Sequence, residues 1–83
     1  MAPYQHRRTD FVARAPGMLE IHVNDSSMVD EALERAIRVV EQAAAEHETG
    51  ILITQIDTGR YIVRAHPAVP VGLVRQQWEP ASR

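Results

Sequence analysis

The chain predicts a small α+β domain: an antiparallel sheet in the order ββαββ, with one long helix packed on one face. Three features of the sequence predict this. Residues 18–23 alternate strictly between apolar and polar. An apolar stripe at three- and four-residue steps runs from Val29 to Ala44. Two runs rich in β-branched residues, 51–56 and 60–66, flank Asp57-Thr58-Gly59. The 83 residues suffice for one domain, which buries only ~60–65% of the surface its unfolded chain exposes. The expected layout is a flexible basic arm at 1–10, a single domain at 11–78 and a C-terminal tail at 79–83.

The elements follow in chain order. Gln5-His6-Arg7-Arg8 is polar and basic without periodicity, which reads as a frayed arm. Residues 11–15 fit a short strand. Pro16-Gly17 then has the type II turn pattern, because the third turn position needs a positive φ. In residues 18–23, Leu19, Ile21 and Val23 share one face and Met18, Glu20 and His22 the other, the mark of a half-buried strand.

Asn24-Asp25-Ser26-Ser27 offers several N-caps, and Ser27 with Asp30 has capping-box spacing. Val29, Ala32, Leu33, Ala36, Ile37, Val40, Ala43 and Ala44 form the buried stripe of the helix. Glu31–Arg35 and Glu34–Arg38 are spaced as i,i+4 pairs on its outer side. Gly50 is the expected stop. In the following hairpin a three-residue loop ending in Gly59 predicts a type I turn with a bulge. That register pairs Ile56 with Arg60, Thr54 with Ile62 and Leu52 with Arg64. It puts Ile51, Ile53, Tyr61, Val63 and Ala65 toward the helix. Two prolines make residues 67–72 irregular. Residues 73–78 fit either a strand or a helical turn.

A single helix covers one side of a sheet, so the other side becomes the main physical question. Left wet, each of its aliphatic side chains forgoes ~1.5–3 kcal/mol. Domains of this size commonly need a staple, and a chain without cysteine has no disulfide to use. Either the C-terminal segment folds back or a second copy docks, and a homodimer is the expected solution. Its working surface would be the helix-free sheet face and the segment 67–78, with Leu52, Ile56, Ile62, Arg64 and Trp78 as candidate interface residues.

Little in the sequence carries chemistry. His22 and His66 fall on neighbouring strands, with Glu20 as a conceivable third ligand, yet no metal-binding spacing exists and neither metal nor cofactor is expected. His47 suits the end of the helix, where an imidazole meets the negative dipole end. Asp57-Thr58-Gly59 resembles the triplet of retroviral-type aspartic proteases. Here Arg60 follows it, and a hairpin turn accounts for all three residues. The four glycines are isolated, so no phosphate loop is present.

All nine basic residues are arginine, a bias that fits a GC-rich bacterial genome. The net charge of −2 argues against general attraction to phosphate. The longest apolar runs are too short to span a bilayer. The first ten residues lack the apolar stretch of a secretory signal, so the cytoplasm is expected. The composite expectation is a non-catalytic, homodimeric interaction or accessory module. Its alternative is an Arg-mediated nucleic-acid-binding or antitoxin-like regulatory protein that uses Arg7, Arg8, Arg60 and Arg64, with Tyr4 or Trp78 for stacking.

Overall fold

The computed structural model describes residues 8–79. Its elements are strands β1 (Thr9–Ala15) and β2 (Met18–Val23), a 3-10 turn at Ser26–Met28, helix α1 (Val29–Glu46), and strands β3 (Gly50–Asp57), β4 (Arg60–His66) and β5 (Val74–Trp78). The strands form one five-stranded sheet in the order β1-β2-β4-β3-β5. Helix α1 lies on one face, against β4, β2 and β3. The α+β class and the single helix-covered face match expectation. The sheet, however, is mixed rather than antiparallel, because β5 adds to β3 in parallel.

Antiparallel pairing explains how β5 arrives there. It brings His66, the end of β4, beside Gly50, the start of β3. Residues 67–73 then loop over that end of β3. The Gly50 N–H donates to the Val69 carbonyl at 2.7 Å, and the Ile51 N–H to the Leu73 carbonyl at 3.0 Å. The chain emerges on the far side of β3, running in its direction. Val69 is buried under this crossing.

The alternating and helical patterns sort as expected. Leu19, Ile21 and Val23 meet Ala32, Ala36, Val40 and Ala44 of the helix, with Ile51, Ile53, Tyr61 and Val63 completing the core. Small alanines let the helix approach the sheet closely; a Cβ on Gly17 would stand 3.0 Å from that of Ala43.

Four local expectations are corrected. First, the helix opens without a Ser27–Asp30 capping box. Asp25 instead caps the preceding 3-10 turn, its Oδ1 accepting from the Ser27 N–H at 2.9 Å and the Ser27 hydroxyl at 2.8 Å. Second, Gly50 does not stop the helix. Glu48 takes the left-handed conformation, φ 58°. The Thr49 N–H then reaches the Ala44 carbonyl and the Glu48 N–H the Ala45 carbonyl, a Schellman closure with glutamate where glycine is usual. Third, Asp57 rather than Ile56 pairs with Arg60, because the strand irregularity falls between Gln55 and Asp57; the Thr54–Ile62 and Leu52–Arg64 pairs stand as expected. Fourth, β1 starts at Thr9, inside the span expected to be an arm; residues 1–7 of that arm and 80–83 of the tail lie outside the described residues.

Candidate interaction surfaces

The sheet is wider than its cover. Five strands at ~4.8 Å spacing span about 19 Å between outer axes, whereas a helix with its side chains is ~10–12 Å across. The two flanks resolve this differently. On the β1 side, Phe11 packs against the core and Arg35 of the helix caps its ring, the guanidinium carbon 5.1 Å from the centroid. Arg35 therefore serves the ring and not the expected i,i+4 pair. Neither Glu31–Arg35 nor Glu34–Arg38 closes to an ion pair among the described residues.

On the β5 side nothing among the described residues fills the gap. All five residues of β5 are exposed. Four of the large apolar side chains most open to solvent gather there and in the preceding loop: Val71, Leu73, Val74 and Trp78. The first three border a groove of about 340 Å³ between the helix and β5, walled by Ile37, Glu41 and Ala44 on one side and Leu73 and Val74 on the other, while Trp78 stands at the far end of the strand. Strand alternation directs Val74, Gln76 and Trp78 to the helix side, since they pair with Ile51, Ile53 and Gln55.

The helix-free face is of another kind. Leu52, Ile62 and Arg64 lie on it as expected, with Leu52 between Arg64 of β4 and Arg75 of β5. Ile56 falls within the strand irregularity and has no cross-strand partner. Leu52, Ile56 and Ile62 are half-buried, and Thr54 at the centre is only 9% exposed. Long side chains on neighbouring strands shield apolar neighbours with their stems while their charged ends stay wet. This face is thus less bare than one-sided coverage suggested. Trp78 points away from it, so the five expected interface residues do not form one patch.

Charge on the helix-free face is organised around Glu20. Arg14 donates from Nε and Nη2 to Glu20 Oε1 at 2.9 and 2.6 Å, and Arg60 Nη2 donates to Oε2 at 3.0 Å. These two guanidiniums, Arg14 foremost, hold the carboxyl below its ordinary value of 4.5. Arg64 and Arg75 have no acidic partner among the described residues.

The remaining candidates are dispersed. His22 pairs with Arg60 at one end of β4 and His66 lies at the other end, so the expected imidazole neighbours are separated along the strand. His66 Nδ1 accepts from the Ala68 N–H at 3.0 Å, which serves the loop. His47 occupies the helix C-cap as expected. Asp57-Thr58-Gly59 is a turn: Asp57 Oδ1 accepts from the Thr58 N–H at 2.7 Å, and Gly59 adopts φ 72°. Arg8 donates from Nε to Asp10 at 3.4 Å and from its backbone N–H to Asn24 at 2.7 Å, while Arg7 and Tyr4 lie outside the described residues. No described Phe, Tyr or Trp ring stands on the helix-free face with Arg60 and Arg64.

Sequence reasoning placed the segment 67–78 in the working surface and singled out Trp78, but did not single out Val71, Leu73 and Val74. The available signal was the apolar content of Val69, Val71, Leu73 and Val74, four such residues within six positions.

No family model, no curated protein and no solved structure matches this chain.

Proposed function

We propose that this chain is a non-catalytic interaction module that works by self-association, forming a homodimer. One observation carries the reading: an edge strand exposed along its whole length beside an apolar groove. Val71, Leu73, Val74 and Trp78 are about half exposed, so covering the rest contributes about 1 kcal/mol from each, half the value of full burial. A small domain without disulfides gains most from such cover. The dispersal of the described histidines and acids supports a role in assembly over one in chemistry. Lack of cysteine fits a reducing cytoplasm. The exclusive use of arginine fits a GC-rich bacterial source. Light scattering over a dilution series tests the reading. The mass should rise from 9.3 kDa toward twice that value as concentration increases; a monomer at every concentration overturns it.

Arg64 and Arg75, on neighbouring sides of Leu52, favour a second reading in which the helix-free face binds nucleic acid. It is the weaker one, because Glu20 occupies Arg14 and Arg60 and Trp78 lies on the opposite face. A labelled single strand should then shift in gel mobility at low salt and be released as salt rises, with Arg64→Ala/Arg75→Ala abolishing the shift. No shift at low salt removes this reading.

A further inference from the structure

Resting on the self-association reading, we infer that two copies join edge to edge through antiparallel β5 strands, about a two-fold axis between their Gln76 residues, with each Trp78 seated at the groove of the other copy. The backbone directs this. The Leu73 carbonyl accepts from Ile51 and the Glu79 N–H donates to Gln55, both toward β3. Alternation along the strand then turns the N–H and C=O groups of Val74, Gln76 and Trp78 outward, where no described residue meets them. An unpaired row of this kind is a template for another strand. The opposite edge of the sheet is protected: β1 carries an irregularity between Ala13 and Ala15 and the charged Asp10 and Arg14.

Register follows from the side chains. Three alignments bring outward groups together while keeping at least three strand residues of each copy opposite one another. Centring on Gln76 engages all five strand residues, setting Val74 against the partner's Trp78 on the helix side and Arg75 against the partner's Gln77 on the other. Sliding one way sets Arg75 against its own copy, a like-charge contact at the closest side-chain spacing. Sliding the other way sets Gln77 against its own copy and takes Val74 and Arg75 out of the strand pairing, leaving only three of the five strand residues engaged. In the centred alignment the indole of Trp78 lies beside the partner's Val74, which together with Leu73 and Ile37 walls the groove of about 340 Å³. The contact is self-complementary, as two-fold symmetry requires.

The chain's single tryptophan and its lack of cysteine make the test direct. Tryptophan emission of the unmodified protein should move to the blue as light scattering shows dimer forming. Gln76→Cys, whose Cα atoms would sit about 5.5 Å apart across the axis, should oxidise to a disulfide dimer at least ~10-fold faster than Ile62→Cys on the helix-free face. Trp78→Ala should weaken dimerisation ~10-fold or more with an unchanged circular dichroism spectrum. A dimer that cross-links through Ile62→Cys and not Gln76→Cys overturns edge pairing while leaving self-association intact. Blue emission independent of concentration in a persistent monomer overturns both, and assigns the groove to the chain's own terminal residues.

Discussion

Glu48 closes the helix where Gly50 was the expected stop, and the consequence is measurable at each. A Cβ on Gly50 would run into the Pro70 carbonyl and Val69 Cγ1 and stand 2.6 Å from the Leu73 carbonyl oxygen. Two of these are backbone atoms of the loop that crosses β3, with no freedom to swing aside. Gly50→Ala should therefore cost about 3 kcal/mol in urea unfolding, the upper range for overpacking. Glu48 instead sits at φ 58°, where a side chain costs roughly 1–2 kcal/mol. Glu48→Gly should gain about 0.5–1 kcal/mol, the relief less the added freedom of the unfolded chain. Glu20 supplies the pH dependence. Its folded value is lowered, so its stabilisation is complete above about 4.5 and is lost as pH falls through that lower value. Both arginines are about half exposed, which screens the interaction. Glu20→Gln should lose about 1 kcal/mol at pH 7, and its difference from the native chain should shrink as pH falls below 4.5, compared by urea titration at each pH.

Consecutive residues of β4 test the two-faced sheet. Val63 is fully buried under α1 and Ile62 half-buried on the other side. Val63→Ala should cost about 2–3 kcal/mol and the larger truncation Ile62→Ala only about 1 kcal/mol, because cavity cost follows burial and not side-chain size. A reversed order would mean that the helix-free face is the better-packed one. The same contrast explains what was legible in the sequence. Strand β2 and helix α1 each bury one face, so their periods of 2 and 3.6 were written in residues 18–23 and 29–44. Strand β5 buries neither face, so Val74–Trp78 carries no alternation. Its place depends on a backbone crossing at Gly50, which leaves one glycine as its trace. The candidate surface was legible as the segment 67–78, with Trp78 its one individually marked residue. Its other members follow two prolines, with Val71 in a turn and Leu73 and Val74 just after it, where periodicity has nothing to report.

At the scale of the whole molecule, the mismatch between a five-stranded sheet and a single helix concentrates exposed apolar surface at one margin. That margin couples folding to concentration. If the native state is a dimer and the unfolded chain is not, mass action stabilises the folded form as protein concentration rises. A tenfold change in concentration alters the dimer equilibrium by about 1.4 kcal/mol, shared between two chains. With the unfolding entropy usual for a chain of this length, the midpoint should climb about 4 °C per tenfold increase. Trp78→Ala should flatten that slope toward zero at low concentration, whereas Val63→Ala should lower the whole line without changing its slope. Thermal unfolding followed by circular dichroism over two decades of concentration separates the two effects, because one residue acts through the second copy and the other through the core of its own chain.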